Sequence, residues 1–319
     1  MAKLKVTIAC DSYDYLQPLK DGRVTPEGID LNLVTVESGI RHQRMYRYGE
    51  YDACEFSMSS YLVARSQDID WFQAIPYFTR RMFGHKFCFV PTGSDIKAPE
   101  DLKGQRIGIR SYENTLALMV KGMFMEDYNL PVDSVTWVCT NKELVGSKPG
   151  ANIKIEHVDG GVGLEELLLA GEVAAEVEPD LPHGWLEGAQ QVDRLFRDFL
   201  SAERAYYQKT HVFPIMHPVV VKKDILDQHP WVATSLFEAF NESFQMHGEF
   251  MQQPHRLSFA FARSYLEEER QFFGRDPYIQ GLALNRRDLE AMINYADKQG
   301  MLARPLTPEE LFTENTRNT

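Results

Sequence analysis

The sequence predicts an α/β protein of two lobes whose chain crosses twice between the lobes. Strand and helix patterns alternate from residue 4 onward and start again after residue 104. Between these blocks lies PYFTRRMFGHKFCFVP (76–91), whose apolar run 87–90 is typical of a strand buried on both faces. A similar run stands far down the chain in HVFPIMHPVVVKK (211–223). We interpret both as crossing segments at a hinge, with charged ends that line one cleft.

The charge of the chain restricts its partners. Its net charge is −12, which excludes nucleic acid because phosphate contacts need a basic surface. Arginine clusters at 41–47 and 80–81 stand out against this acidic background and indicate an anionic small ligand. The four cysteines are irregularly spaced beside predicted strands, as expected of buried thiols in a reducing cytosol.

The N-terminal segment MAKLKVTIAC alternates like a strand and lacks the apolar core of a secretory signal. No run of 18 apolar residues occurs, so no membrane span is predicted. We therefore expect a cytoplasmic protein that acts on a small molecule, and homo-oligomerisation is left open.

The first block contains strands at 4–10, 29–37 and 51–56 and helices around 40–48 and 61–64. This alternation of strands and helices predicts a mostly parallel sheet, in which ligands bind at the carboxyl ends of the strands. Three polar loops fall at that edge, at 11–15, 38–42 and 55–59. Arg44 and Arg47 repeat at helical spacing, and we interpret them as a solvent-exposed helix face.

The second block begins with a strand at 105–110, a loop at 111–114 and a helix at 115–128. The start of that helix leaves N–H groups unpaired, which favours anions, and Arg110, Tyr112 and Asn114 flank it. Further strands are predicted at 135–138, 153–157 and 173–177, with helices at 164–170 and 195–207.

The C-terminal third is helical and contains no predicted strand. An apolar stripe follows Pro230, helices are expected at 259–273 and 287–298, and the last dozen residues are predicted to be loose. We expect this part to pack back on the first lobe. The first lobe then consists of 1–90 and 219–319, and 91–218 form an inserted second lobe, with the ligand cleft between them.

Several segments resemble known proteins. LKVTIAC, DLKGQRIGIRSYEN and GLEELLLAGEVAAEVEPD resemble the type 2 periplasmic binding protein superfamily, and the resemblance covers essentially the whole chain. It implies a two-lobed type 2 periplasmic-binding-protein-like fold. Within that superfamily, GIRHQRMYRYGEYDACEFSMSSYL, IPYFTRRMFGHKF and HVFPIMHPVVV are similar to the 4,5-dihydroxyphthalate decarboxylase family. This similarity implies a carboxy-lyase of phthalate degradation that converts 4,5-dihydroxyphthalate to protocatechuate and CO2.

Such a reaction makes three demands on the site. It must hold a dianion, deliver a proton to a ring carbon, and accept a proton or hydrogen bond from the hydroxyl para to the departing carboxylate. Arginine suits the first demand, and histidine or a carboxylic acid suits the second. A further histidine, Glu55 or Tyr13 could meet the third. No organic cofactor is required in principle, a divalent metal that chelates the catechol stays open, and metal ligands are unknown.

The candidate residues follow from these demands. The candidate catalytic residues are His85, His217, His211 and Glu55, with His85 or His217 as the proton donor. The candidate substrate-binding residues are Arg41, His42, Arg80, Arg81, Arg110, Tyr112, Tyr13 and Ser57. Arg80 and Arg81 are neighbours in an extended segment, so they should point in opposite directions, and which one faces the cleft is left open.

Two alternatives fit the same fold. One is a non-catalytic receptor for an aromatic carboxylate that serves a membrane transporter, which would require export. The other is an enzyme with different chemistry, such as a pyrimidine- or thiamine-precursor synthase. The absence of a glycine-rich phosphate loop from the sequence argues against a phosphate-bearing ligand.

Overall fold

The computed structural model describes residues 2–158 and 160–319. Across these residues the chain forms two sheets. The strands are β1 Leu4–Cys10, β2 Ile29–Thr35, β3 Ala53–Glu55, β4 Phe72–Arg81, β5 Cys88–Pro91, β6 Arg106–Ile109, β7 Thr136–Cys139, β8 Lys154–His157, β9 Ala175–Val177, β10 Val192–Arg194 and β11 Ile215–Lys222. The helices are α1 Gln17–Lys20, α2 Ser38–Tyr48, α3 Met58–Ser66, α4 Thr115–Asp127, α5 Leu164–Leu169, α6 Phe199–Thr210, α7 Lys223–Gln228, α8 Trp231–Met251, α9 Ala262–Phe273 and α10 Leu282–Lys298.

The first sheet has the order β2-β1-β3-β11-β4. β1 runs parallel to β2 and β3, as the alternating strand and helix pattern predicts. β11 is antiparallel to both β3 and β4, and its pairing with β4 shifts register three times between Ile215 and Val219. Such bulges re-aim side chains locally, and these lie at one end of the longest strand pair.

The second sheet has the order β10-β5-β9-β6-β7-β8. Its strands β9, β6, β7 and β8 are parallel, whereas β5 is antiparallel to β9 and β10. The predicted apolar run 87–90 corresponds to β5, which lies wholly in this sheet and does not span both lobes. The chain therefore leaves the first sheet after residue 81 and returns to it at residue 215.

β4 has no counterpart among the predicted strands. Eight of its ten residues are buried, so it lacks the alternation of polar and apolar residues that marks a strand with one wet face. It pairs with β11 at the edge of the first sheet. The lobe boundaries at 90/91 and 218/219 remain a prediction, because sheet membership reports strand pairing alone.

The C-terminal helices pack against both lobes. α8 lies against α1 and β4, and α10 lies against α3 of the first lobe and α4 of the second. Gly122 of α4 makes the second contact possible, since a Cβ there would lie 2.2 Å from the Tyr295 ring. The helical third was expected to pack on the first lobe, and α8 and α10 do contact it, but α10 also contacts α4 of the second.

The prediction of a loose C-terminus is wrong. Leu311, Phe312 and Thr316 are buried. Phe312 bridges to Ala74 of β4, and the Tyr61 hydroxyl donates to the Leu311 carbonyl oxygen. Two apolar side chains within a polar tail were enough to anchor it. In residues 2–158 and 160–319, no helix combines the length and apolarity that a membrane crossing requires.

Candidate active site

A cleft lies between the two sheets at the carboxyl ends of their parallel strands. Its empty volume is about 940 Å³, and it is open to solvent. Loops and helix starts from both lobes line it, among them Ser57 and His217 from the first and Arg110, Asn114 and Lys142 from the second. This is the edge at which open α/β sheets bind ligands.

Three helices point their N-termini toward the cleft. α2, α3 and α4 begin at Ser38, Met58 and Thr115, and residues of each first turn line the cavity. The Ser57 and Asn114 side chains cap α3 and α4. Because the N-terminus of a helix carries partial positive charge and unpaired N–H groups, the convergence of three favours an anionic ligand.

Glu55, at the end of β3, is fully buried and holds a hydrogen-bond network behind the cleft wall. Its Oε1 accepts from the Tyr13 hydroxyl and from His217 Nδ1, both at 2.6 Å. Its Oε2 accepts from the Asp11 N–H at 2.8 Å and pairs with the Arg41 guanidinium at 3.0 Å. Four groups from β1, α2 and β11 thus converge on one carboxylate.

This network sets the charge states of its members. Burial alone would raise the pKa of Glu55, but the hydrogen bond from His217 and the Arg41 charge outweigh it, and the pKa is lowered. Burial lowers the pKa of His217, although its hydrogen bond to Glu55 opposes the shift. We therefore assign an ionised Glu55 and a neutral His217 with its proton on Nδ1, which leaves the Nε2 lone pair free as a base.

Arg80 stands beside His217 across the strand pair. The two residues are register partners in the bulged part of β4 and β11, and both line the cleft. Arg81, the next residue, is buried on the opposite side, where its guanidinium donates to Asp288 and Asn285 and to the Phe213 and Ile279 carbonyl oxygens. The predicted split of the two arginines is therefore found, with Arg80 at the cleft. Arg81 as a ligand-binding candidate is corrected.

His42 completes a pair of imidazoles. It lies in the second turn of α2, with its ring 4.9 Å from the His217 ring in an edge-to-face arrangement. Its Nε2 is buried without a hydrogen-bond partner among the described residues. Burial holds its pKa well below the usual range, and the neighbouring His217 and the charge of Arg41 add to the shift. An imidazole in this state can gain a proton only when negative charge arrives.

Cations without partners line the cleft from three elements. Within the part of the chain that the structure describes, Arg47 of α2, Arg80 of β4 and Lys142 after β7 line it without any ion pair or side-chain hydrogen bond. Arg110 also lines it, but its guanidinium holds Glu178 and Asp180. The positive charge available to a ligand therefore comes mainly from the first three.

Four further candidates lie away from the cavity. Arg41 is fully buried and supports Glu55 and the Val36 carbonyl oxygen, so its guanidinium has no free face for substrate. Tyr112 is buried with its hydroxyl on the Gln299 carbonyl oxygen. Arg41 and Tyr112 as substrate-binding candidates are therefore corrected, because both are buried away from the cleft.

The other two candidates that lie away from the cavity are the histidines His85 and His211. His85 is buried between Phe196 and Tyr206 rather than beside the cleft, and burial lowers its pKa to about 4. His211 is exposed and ends α6 with a left-handed backbone at φ 53°, packed near Tyr207. Because His211 terminates a helix, it does not lie in the strand that carries His217.

The sequence reasoning missed Lys142 and Arg47. Lys142 sits in a loop that was given no role, and Arg47 was interpreted as part of a solvent-exposed face. A signal existed for Arg47, since one helical turn separates it from Gln43, which also lines the cleft. Among residues 2–158 and 160–319, no group of three or more His, Cys, Asp or Glu side chains is arranged to hold a metal ion.

Comparison with known proteins supplies a family. A 4,5-dihydroxyphthalate decarboxylase of Comamonas testosteroni is 30% identical over 320 residues, covering 98% of this chain and 97% of that protein. The chain belongs to the 4,5-dihydroxyphthalate decarboxylase family. A second member of this family, from Pseudomonas putida, is 31% identical over 214 residues and covers 65% of this chain and 83% of its own. No protein-family model matches the chain.

Solved structures place this decarboxylase family member in a wider fold. The alkanesulfonate-binding protein SsuA of Xanthomonas axonopodis pv. citri superposes with a TM-score of 0.57 at 14% identity, over 98% of each chain. The desulfurization enzyme DSZB, in complex with biphenyl-2-sulfinic acid, gives 0.53 at 16% identity, over 99% of this chain and 98% of its own. The two-lobed periplasmic-binding-protein fold predicted from the sequence is confirmed.

Proposed function

We propose that the protein decarboxylates 4,5-dihydroxyphthalate, or a closely related hydroxylated aromatic carboxylate, to protocatechuate and CO2. The observation that carries the proposal is the Tyr13–Glu55–His217 chain, with its 2.6 Å hydrogen bonds, beside the unpaired Arg80 in the cleft. A receptor needs groups that hold its ligand. A buried carboxylate that orients a neutral histidine is instead the arrangement of a general base.

Substrate binding is assigned to the unpaired cations. Arg80 suits a bidentate pair with one carboxylate, and Arg47 and Lys142, which line the same cleft, are assigned to the other. The N-termini of α2, α3 and α4 add partial positive charge. Ligands drawn to both walls would bring the lobes together and exclude water from the site.

The proposed chemistry begins at the hydroxyl para to the departing carboxylate. Nε2 of His217 takes the hydroxyl proton, and the ionised Glu55 stabilises the imidazolium that forms. Electron density then rises at the ring carbon that bears the carboxylate. Arg41 keeps Glu55 ionised through the cycle, which makes it a positioning residue.

Protonation of the ring carbon is assigned to His42. Two bound carboxylates favour its imidazolium form, so substrate itself charges the acid. After the proton adds to carbon, the C–C bond breaks, its electrons restore the aromatic ring, and CO2 leaves. His217 then returns its proton to the phenolic oxygen. The cycle consumes one proton, which His42 recovers from solvent.

No organic cofactor is needed for these steps. Whether a divalent metal assists by chelating the catechol oxygens is decided by assaying the protein after extensive treatment with a chelator, and again after adding Mg²⁺, Mn²⁺ or Zn²⁺. We propose that activity survives chelation, since His217 already supplies the base for the catechol. A strict need for added metal contradicts this part of the proposal.

A non-catalytic receptor is the second candidate, favoured by the solved binding proteins of the same fold. A receptor that serves a transporter must be exported, whereas we propose a cytoplasmic enzyme. Fractionation of cells that express the native gene separates the two. Recovery in a periplasmic extract with no turnover supports the receptor.

The decisive experiment is a turnover assay. Purified protein incubated with 4,5-dihydroxyphthalate should release CO2 and accumulate protocatechuate in equal amounts, with ring deuteration at the vacated carbon in D2O. His217→Gln should abolish turnover, while His85→Gln, which changes a buried histidine outside the cleft, serves as the matched control. A folded protein that yields no product under any metal condition refutes the proposal.

A further inference from the structure

A second chamber lies on the other side of Arg80 from the cleft. It is bounded by the loop after β1, the end of β4, and the helices α8 and α9, with an empty volume of about 860 Å³. Arg80 lines both cavities, and Tyr13 links them because its ring walls the chamber while its hydroxyl bonds Glu55. The proposed mechanism uses none of the rest of this space.

The walls of the chamber are aromatic. Tyr13 and Tyr15 stack with ring centroids 5.0 Å apart and planes 12° apart, and Phe244 meets Tyr15 edge-to-face at 5.5 Å. Phe244 also lies 6.1 Å from the Tyr278 ring. Such a lining matches the flat faces of one aromatic ring.

Charged residues of both signs line the chamber. Arg80 lies near Tyr13, where burial raises the pKa of the phenol and the Arg80 charge opposes the shift. Near Tyr278, Glu269, Asp14 and Asp276 add to the rise that burial causes in its pKa, and Arg81, which is paired with Asp288, opposes it. Asp276 pairs with Arg270 and Asp14 with His247, whereas Glu269 has no ion pair among the described residues.

We propose that this chamber binds an aromatic monocarboxylate with phenolic hydroxyls, which is the product class of the decarboxylation proposed above, before its release. The carboxylate sits on Arg80, the ring packs among the tyrosines and Phe244, and the hydroxyls donate to carboxylates such as Glu269. This inference rests on the proposed function. A monocarboxylate is favoured over a dicarboxylate because a second carboxylate would be repelled by Glu269, the acid of this lining that has no ion pair among the described residues.

Arg80 then has two roles in sequence. It holds one carboxylate of the dianion in the cleft, and after CO2 leaves, the remaining carboxylate can stay on the same guanidinium while the ring turns into the chamber. Once the second carboxylate has left as CO2, Glu269 no longer repels the ligand. The cleft is thereby cleared for another substrate while the product is still bound.

Gly248 allows a selective test. It lines the chamber from α8, and a Cβ built there meets no atom within 4 Å, so larger side chains fill the chamber without displacing the fold. Gly248→Leu should weaken the binding of 3,4-dihydroxybenzoate, measured by calorimetry, at least tenfold. Gly248→Ala, the matched control, should bind within twofold of the wild type. Both should keep kcat/KM for 4,5-dihydroxyphthalate within twofold, while Gly248→Leu raises the product inhibition constant at least tenfold.

Glu269→Gln tests the acidic part of the lining without filling the chamber. It should weaken 3,4-dihydroxybenzoate severalfold and leave 3,4-dimethoxybenzoate, which cannot donate hydrogen bonds, as weak as it is with the wild type. The chamber is refuted if product inhibition is unchanged in Gly248→Leu, or if that variant loses kcat/KM in proportion, since the space would then belong to the substrate site. An inactive wild-type protein that binds 3,4-dihydroxybenzoate in a Gly248-dependent way refutes the decarboxylation but keeps the binding site.

Discussion

Two buried glutamates, one in each sheet, have pKa values that are shifted in opposite directions. Glu55 ends β3 in the first sheet and Glu176 lies within β9 in the second, and their exposures are 0% and 1%. Glu55 has four partners, and its pKa is lowered. Glu176 has an oxygen without a hydrogen bond among the described residues, and burial, with the charges of Glu178 and Glu165, raises its pKa to about 8. Burial and like-charged neighbours thus raise the pKa of a carboxyl group that lacks partners, whereas hydrogen bonds and a buried cation keep Glu55 ionised.

The largest effect should follow from removing the charge of Glu55. Glu55→Gln leaves Arg41 buried without its carboxylate and deprives His217 of the group that stabilises its charged form. We expect kcat to fall about 10²–10⁴-fold and the free energy of unfolding to drop by about 3–5 kcal/mol. Protocatechuate formation and urea unfolding measure the two losses.

The matched change at the other glutamate is Glu176→Gln, which should leave kcat within twofold of the wild type. If Glu55→Gln keeps most of its activity, the contrast between a working and a silent carboxyl group fails. If both variants lose activity, the effect of Glu55→Gln would be explained by disturbed packing of a buried side chain and not by the loss of its charge.

Arg80 and Arg81 offer the same kind of comparison for two cations, one without an ion pair among the described residues and one that is buried and paired. Arg81→Met leaves Asp288 buried without its ion pair and should cost about 3–5 kcal/mol of stability with little change in KM. Arg80→Met removes a cation that has no partner in the described residues, so stability should change by less than about 0.5 kcal/mol. Its kcat/KM should fall about 10²-fold, which is roughly the worth of a charge-assisted pair. Steady-state kinetics and chemical unfolding of both variants would reveal a reversal of these roles.

The pH dependence of stability tests Glu176 directly. Its pKa is raised from 4.5 to about 8, so between these values the folded protein keeps a proton that the unfolded chain releases. Stability should therefore fall as pH rises through this window, with a slope of up to about 1.4 kcal/mol per pH unit from this group. Glu176→Gln should flatten the slope and be the more stable protein at pH 8. If the free energy of unfolding of the wild type and of Glu176→Gln changes with pH in the same way from pH 5 to 8, the raised pKa of Glu176 is contradicted.

The smallest effect concerns Tyr13, which shares Glu55 with His217. The pKa of His217 is lowered from 6.5, so its base form persists below that value and activity should be lost only as pH falls through the lowered pKa. Tyr13→Phe frees one lone pair of Glu55 and should raise the pKa of His217. The acid limb of kcat/KM should move upward by a few tenths of a pH unit. An acid limb that stays in place, with kcat unchanged, would show that Tyr13 does not tune His217.

Structural features that depend on neighbouring residues could be predicted from the sequence, whereas features that depend on contacts between distant residues could not. The parallel strands around β1 and β6, and the helices that follow them, were predictable because strand alternation and helical stripes are local signals. β4 was missed because Gln73, Pro76 and the polar residues 79–81 interrupt its apolar sequence, although most of the strand is buried. The C-terminal segment was judged by its polar composition, whereas two side chains, Leu311 and Phe312, fix it.

The sequence by itself determined the two-lobed α/β class, the family, and the residue types that gather at the strand edges. Only the tertiary structure decided which of them share the cleft. It placed Arg80 and not Arg81 there, put Arg41 behind Glu55, and moved His85 and His211 away from His217. The reason is that a side chain's partners come from strands far apart in the chain, and those partners decide whether a charge is available to a ligand or is already neutralised inside the fold.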